Sequence, residues 1–371
     1  MKYQVCTKCV MDTTASEIIF DENGQCHFCK EFIQRHSQLD ISNTSGLDRL
    51  VEQIKKDGKN KPYDCIVGVS GGIDSSYTLH LVKSLGLRPL AVHMDNGWNS
   101  ELATNNILNL VRGVGVDLYT HVIDWQEYRD LMNSFFKADV IDVELLYDNA
   151  MLAVNFEQAK KYKVKYILSG SNSATEGIAM PKKWNWFKYD KKNILNIQKK
   201  FGTKKIKTMP LLSFISWVIA KAVLKIQWVP FLDYFDYNKN EAVKILQEKY
   251  NYKPYPYKHY ESIFTRFYQG HILPKKFGVD KRKLHLSTLV ATQQLSRDEA
   301  LKTLEAMPSF SQAELDADIE FFLKKMKWTK EDLLIYLSRP EVPHETYGSE
   351  VGLFKKVMAL RQFLKNKCTP K

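Results

Sequence analysis

DCIVGVSGGIDSSYTLH, residues 64–80, joins a short β-branched run to a helical pattern through a glycine-rich turn. Two adjacent glycines, Gly71 and Gly72, let the backbone approach a phosphate with no Cβ in the way. The helix that follows offers unpaired N–H groups and the positive end of its dipole. Ser70, Ser75 and Ser76 add hydroxyl groups to that cradle. Asp74 is the odd member, because a carboxylate facing phosphates makes sense only if it holds Mg²⁺ or caps the helix. The turn has no Gly-Lys-Ser/Thr ending and so is not a Walker loop.

The pattern continues outward on both sides. Leu90 to Met94 (LAVHM) reads as a strand, followed by a helix from about Ser100. Asp117 to Ile123 reads as another strand, a long helical stretch runs to about Tyr162, and the strand Tyr166 to Ser169 ends in Gly170-Ser171-Asn172. Strand and helix in regular alternation predict an α/β fold with a doubly wound parallel sheet. In such sheets ligands bind beyond the carboxyl ends of the strands, so the loops after Val69, Met94 and Ser169 should converge on one crevice.

Four cysteines near the N-terminus form two CxxC pairs, Cys6 with Cys9 and Cys26 with Cys29. A disulfide would need an oxidising compartment, and a redox CxxC a thioredoxin-like βαβ context that this segment lacks. The spacing instead predicts a tetrahedral structural zinc site, with Asp21-Glu22-Asn23-Gly24 as the hairpin turn between the pairs. Four thiolates leave no open position on the metal. Cys65, inside an apolar run, reads as a packing residue.

Composition bounds the rest. With 371 residues, 44% of them hydrophobic, the chain can bury a substantial core. Fifty-four Lys and Arg against 42 Asp and Glu leave a net charge of +12, which fits a polyanionic ligand or partner. No apolar stretch follows the first lysine, so a cytoplasmic protein is expected. The longest apolar run, Met209 to Ala220 (MPLLSFISWVIA), is about half of the ~20 residues a membrane span needs. It reads as a buried helix, with an interfacial membrane helix or a partner-docking face as the other readings. Met180 to Lys207 carries ten Lys against one Asp, interleaved with Trp184, Trp186, Phe187, Tyr189 and Phe201. That mixture suits single-stranded nucleic acid, an insertion closing over a nucleotide-linked substrate, or a solvated partner surface. Beyond Leu286, Ser296 with Glu299, Ser311 with Glu314 and Thr329 with Asp332 are capping-box signals that open helices. The expected organisation is a zinc ribbon (1–40), an α/β core (41–180), a basic, aromatic and substrate-binding region (181–285) and a helical C-terminal region (286–371).

Ser-Gly-Gly-x-Asp-Ser resembles the PP-loop of the ATP pyrophosphatases, which include GMP synthetase, asparagine synthetase, tRNA thiolases and lysidine synthetases. The resemblance implies the adenine nucleotide alpha hydrolase type of fold, with ATP and Mg²⁺ at the loop. Ser70, Gly71, Gly72, Ser75 and Ser76 would hold the pyrophosphate and Asp74 the Mg²⁺. His93-Met94-Asp95-Asn96-Gly97-Trp98 is similar to the segment that meets the nucleoside, which assigns His93 and Asp95 there. Gly170 and Ser171 resemble the loop bordering the adenylate.

CTKCVMD, FDENGQCHFC, VSGGIDSSYTLH, HMDNGW, LSGSNSATEGI and KHYESIFTRFYQGHILPKKFGVDKRKLHLSTLV together resemble the N-acetyl sugar amidotransferases of bacterial surface-polysaccharide clusters. That resemblance covers most of residues 1–300 and implies ATP-dependent conversion of an acetamido group on a nucleotide-linked sugar to an acetamidino group. Ammonia would come from separate glutaminase and cyclase-like partners related to histidine biosynthesis. No nucleic-acid partner is expected, and a peripheral membrane contact is compatible. Asp74, Ser70, Glu261 and Arg266 would carry the catalytic roles. His259, Lys275, Lys276, Lys281 and Arg282 lie in the same stretch. Asp12 departs from the family pattern, which has Pro after Cys-Val-Met, and leaves the thiolates untouched. The rival enzyme reading is a tRNA-modifying PP-loop protein, and the reading of another class is a non-catalytic zinc-ribbon adaptor.

Overall fold

The computed structural model describes residues 2–37, 44–255, 261–305 and 311–368, with the side chains of 44 and 361–368 left out. His259, Tyr257 and Tyr260 lie outside the described residues.

The predicted strands form as β1 (Cys65–Gly68), β2 (Pro89–Asp95), β3 (Asp117–Val122) and β4 (Tyr166–Ser169). A fifth, β5 (Gln227–Pro230), was not legible, because its four residues neither alternate nor form a β-branched run and the last is Pro. The order is β3-β2-β1-β4-β5 and every pairing is parallel, with Ile66 opposite Leu90 on one side and Ile167 on the other. From β1 the chain steps to β2 and β3, then returns to β4 on the opposite side. The switch in direction therefore lies between β1 and β4, where a crevice opens.

Helices α1 (His27–His36) and α2 (Thr44–Gly58) precede the sheet, and α3 (Ile73–Ser84) and α4 (Glu101–Val114) follow β1 and β2. The stretch read as one long helix is two, α5 (Trp125–Ala138) and α6 (Leu145–Lys161), because Asp139 at φ +55° ends the first in a left-handed cap. Helices α7 (Ser173–Glu176), α8 (Lys191–Phe201) and α9 (Phe214–Ala222) lie between β4 and β5. The chain continues with α10 (Lys239–Tyr250), α11 (Ile263–Phe267), a π-helical segment (Tyr268–Phe277), α12 (Arg282–Ala291), α13 (Arg297–Glu305), α14 (Gln312–Met326), α15 (Lys330–Ser338) and α16 (Val351–Cys368).

Packing follows the apolar periodicity. In α4, Ile107, Leu110, Val111 and Val114 form one buried stripe against Val67, Val69 and Ala91, and Ser100 caps the first turn by accepting from Ala103 N. Full burial of such a side chain stabilises by roughly 1.5–3 kcal/mol. The other face of the sheet, Ile66, Val92, Met94 and Ile167, shares one apolar cluster with α5, α6, α14 and the four N-terminal cysteines. All three capping boxes form: Glu299 N donates to Ser296 Oγ, and Ser311 and Thr329 exchange hydrogen bonds with Glu314 and Asp332.

Two segments differ from the expectation of plain burial or plain exposure. Helix α9 buries Phe214 and Ala220 but exposes Ile215 and Ile219, and Val223 and Leu224 just past its end are exposed too, so the core covers only part of the apolar run. No described helix is long and apolar enough to cross a membrane. Conversely, the rings of the lysine-rich segment turn inward. Trp184 is buried, Trp186 stacks on His344 at 4.9 Å and 10°, and Phe187 meets Phe354. They are packing residues here and do not form a stacking platform for bases.

Candidate active site

Two turns of the sheet's carboxyl edge, after β1 and β4, meet at a cavity of about 740 Å³, within the usual range for small-molecule sites. The expected turn after β2 contributes none of the lining residues, which β2 supplies from within the strand as Val92 and Met94. Ser70, Gly72, Ile73, Asp74 and Ser75 form one wall, Ser169, Gly170 and Ser171 another, and Glu261, Tyr255, Lys239 and Lys244 reach in from later in the chain.

The loop is held in shape by its own hydroxyls. Ser70 Oγ accepts from Gly72 N at 3.2 Å, Ser75 Oγ accepts from Ser70 N at 3.2 Å, and Ser75 Oγ donates to Gly72 O at 3.2 Å. Gly71 sits at φ +84°, where a Cβ would come within 2.9 Å of Ala103 O, so both the turn and the contact with α4 require glycine. Its carbonyl accepts from the phenols of Tyr252 and Tyr255 at 3.0 and 3.1 Å. Gly170 brings β4's loop against the start of α3, where a Cβ would meet Ser75 N at 2.6 Å. Helix α3 begins at Ile73 after Gly72, with no side-chain cap. Its first-turn N–H groups and dipole therefore stand at the cavity wall, the arrangement that binds an anion.

Asp74 projects from that first turn and accepts a hydrogen bond from the phenol of Tyr237. Burial and the Asp74 charge both push the Tyr237 hydroxyl well above its ordinary pKa, so it stays protonated and donates. An oxygen-donor carboxylate beside a phosphate cradle suits Mg²⁺.

Not every residue singled out in the sequence faces this cavity. His93 is buried, with Nδ1 bonded to Val69 O at 2.8 Å and Nε2 to Asn99 Nδ2 at 3.0 Å. Burial lowers its pKa, and a neutral ring uses both nitrogens in holding the ends of β1 and β2. Asp95 Oδ1 accepts from Gly97 N at 2.7 Å and shapes the turn after β2. Ser76 is buried behind the helix start. Arg266 makes a two-bond ion pair with Asp318, Lys276 pairs with Asp139, Lys281 with Glu144 and Arg282 with Asp280. Arg266 joins α11 to α14, Lys276 and Lys281 tie the C-terminal region to the junction of α5 and α6, the Arg282 pair is local, and none of the four lines the cavity.

Glu261 does line it. Ser100 N donates to Glu261 O at 2.9 Å, Ile263 N donates to Trp98 O at 3.0 Å, and Asn99 bridges Ser262. This short pairing sets the carboxylate against the loop, where a Cβ on Gly72 would stand 3.4 Å from Glu261 Oε1. Tyr237 and Lys239, which no motif marks, reach the same place from β5's side of the sheet.

The four N-terminal thiols form a second centre. Their Sγ atoms lie within 4.8 Å of one another, with Cys6 to Cys29 at 3.7 Å and Cys9 to Cys26 at 3.6 Å. Those separations are far too long for disulfides and match the roughly 3.8 Å edge of a tetrahedron with metal–sulfur bonds of about 2.3 Å. Cys26 N donates to Cys6 Sγ at 3.2 Å, as expected around a thiolate. The Arg297 guanidinium donates to the carbonyls of Cys6 and Cys9, which fastens the cluster to α13. Asp12 makes a further tie: it is buried, and its carboxylate meets Lys283 Nζ of α12 at 2.5 Å.

Among solved structures, the chain is similar to an NH₃-dependent NAD synthetase from Campylobacter jejuni (13% identity, TM-score 0.33, covering 85% of this chain and 98% of that one). It is also similar to the U34-tRNA thiolase NcsA from Methanococcus maripaludis, with its [4Fe-4S] cluster (12%, TM-score 0.33, 85% and 96%). A third is the NMN synthetase from Francisella tularensis (16%, TM-score 0.29, 60% and 87%). No curated protein sequence matches the chain. Residues 261–361, which begin at the cavity-lining glutamate, match the family described as "LPS biosynthesis protein WbpG-like, C-terminal domain".

Proposed function

We propose that the chain is an ATP-dependent, AMP- and pyrophosphate-forming amidotransferase acting on the acetamido group of a nucleotide-linked N-acetyl sugar. The observation that carries the reading is the joining of two segments at one cavity. The Ser-Gly-Gly-Ile-Asp-Ser cradle supplies the anion site, and Glu261, the first residue of the stretch matching the surface-polysaccharide family, stands against it.

An acetamide is a poor electrophile, so its oxygen must first become part of a leaving group. The acetamido oxygen attacks the α-phosphorus of ATP, the bond to the bridging oxygen of the pyrophosphate breaks, and pyrophosphate departs. Ammonia then adds to the imidate carbon, loses a proton, and expels AMP, which carries away the former acetamido oxygen. The N-terminal N–H groups of α3, with Lys239 and Lys244, stabilise charge growing on the departing pyrophosphate, the largest expected rate effect. Asp74, oriented by Tyr237, would hold Mg²⁺, which supplies further charge neutralisation when bound. Glu261 takes the proton released as ammonia adds. The four cysteines would hold a structural Zn²⁺, closed to substrate by its full thiolate set. Ammonia would be delivered by separate glutaminase and cyclase-like partners.

One observation weighs against sulfur transfer to tRNA. Cys65, the cysteine of the α/β core, is fully buried in β1, and burial pushes its thiol up from its ordinary pKa. A thiol so placed is a poor nucleophile.

The deciding experiment measures AMP and pyrophosphate from purified protein with ATP, Mg²⁺ and ammonium, comparing a panel of UDP-linked N-acetylated sugar acids with bulk tRNA. Sugar-dependent AMP, with ¹⁸O passing from a labelled acetamido group into AMP, is expected. AMP formation that depends on tRNA and ignores every sugar would replace this reading with RNA modification.

A further inference from the structure

Helix α6 presents Tyr147, Met151 and Asn155 at four-residue intervals, so they form one stripe, and all three line the cavity. The deepest polar group on that stripe is Asn155, 1% exposed. Its Nδ2 donates to Met151 O at 2.8 Å, whereas Oδ1 is buried and has no hydrogen-bond partner among the described residues. Exchanging the two amide atoms would press Oδ1 against the Met151 carbonyl, so the orientation is determined. A buried acceptor without a donor is uncommon in a folded protein and calls for a ligand or a trapped water.

Gly68 keeps the space beside this group open. It lies in β1 with an ordinary strand backbone, so its glycine is not needed for a left-handed turn. A Cβ there would instead stand 3.2 Å from Asn155 Oδ1 and 3.4 Å from Nδ2. The surrounding wall is apolar, built from Val92, Met94, Ile167 and Met151. Apolar walls closing on a single buried acceptor suit a flat heteroaromatic ring with one amino group. The charge-bearing part of the same ligand would lie at the Gly72–Ser75 cradle.

We propose that Asn155 Oδ1 accepts the 6-amino group of adenine and thereby selects ATP among purine nucleoside triphosphates. Guanine places an acceptor, its 6-oxo group, where adenine places a donor, and two acceptors would then face each other in a buried site. The assignment rests on the ATP-using reading above and adds the residue that reads the base.

The test compares equilibrium binding of ATP, purine riboside triphosphate (hydrogen in place of the 6-amino group) and GTP, each with Mg²⁺, to wild-type protein and Asn155→Ala. For the wild type, loss of the 6-amino group should weaken binding about 10-fold, the size of one hydrogen bond in a dry site, with GTP weaker still. In Asn155→Ala, ATP should weaken by a similar factor and purine riboside triphosphate hardly at all, so that their ratio falls to about one. The wild-type comparison decides alone if the variant does not fold. Equal binding of ATP and purine riboside triphosphate by the wild type, as a trapped water at Asn155 would give, overturns the assignment and leaves the ATP reading standing. Failure of both to bind overturns the two together.

Discussion

The phenol of Tyr237 donates a hydrogen bond to Asp74 Oδ1, joining the segment just before α10 to the first turn of α3 across 163 positions of sequence. The carboxylate that would meet Mg²⁺ is thus aimed by a buried group that stays protonated. Tyr237→Phe should lower AMP formation about 10-fold or more and raise the Mg²⁺ concentration for half-maximal rate, as losing an outer partner of a metal ligand does. Asp74→Asn should abolish turnover with unchanged circular dichroism. A Mg²⁺ titration of both variants checks the pair, and an unshifted curve for Tyr237→Phe would remove its orienting role.

Glu261 stands against the loop beside Gly72, whereas Arg266, five residues on, is fixed to Asp318 of α14. Glu261→Gln keeps the shape and removes proton uptake. Its kcat should fall by about 10²-fold or more while the ATP affinity changes little. Arg266→Lys, by contrast, should act on thermal stability through the Asp318 pair, which a melting curve and ATP binding together would distinguish.

Cys6→Ser with Cys26→Ser should remove bound metal and lower stability together, because the four thiols are buried in the same apolar cluster as α5 and α6. Elemental analysis should find one Zn²⁺ per wild-type chain and none in the double variant. A double variant that melts at the wild-type temperature would make the cluster dispensable for folding.

Asp12 supplies a pH-dependent tie. Burial alone would raise its carboxyl pKa, but Lys283, Thr14 and Tyr3 bond its charged form and hold it below the ordinary carboxylate value. A folded-state pKa below the unfolded one means stabilisation that is complete above the unfolded value and lost as pH falls through the folded one. Stability should therefore decline below about pH 4, the ordinary aspartate range, and the decline should be shallower in Asp12→Asn. At neutral pH, Asp12→Ala should cost about 3 kcal/mol by stranding Lys283, measured by urea unfolding.

Much of this was local and so legible in the chain. The glycine pair, the hydroxyls and Asp74 lie within one turn, where backbone conformation and helix polarity follow from residue type. The two CxxC pairs likewise needed only their spacing, and the three capping boxes only their four-residue pattern. What sequence left open was long-range. His93 and Asp95 lie in the last three residues of β2, and their hydrogen bonds go to Val69, Gly97 and Asn99 because burial and turn geometry claim them first.

The same division runs through the rest of the molecule. The sequence by itself determined the alternating α/β order, the phosphate cradle and the four-thiol cluster, since each depends on neighbours along the chain. Only the tertiary structure decided which distant groups complete the site. The pairing of residues 98–100 with 261–263 delivers Glu261, the return of the chain through β5 delivers Tyr237, and the close packing of α6 on β1 leaves Asn155 facing the space beside Gly68. Those choices are set by which apolar faces bury against which, a property of the whole packed core that no short window of sequence contains.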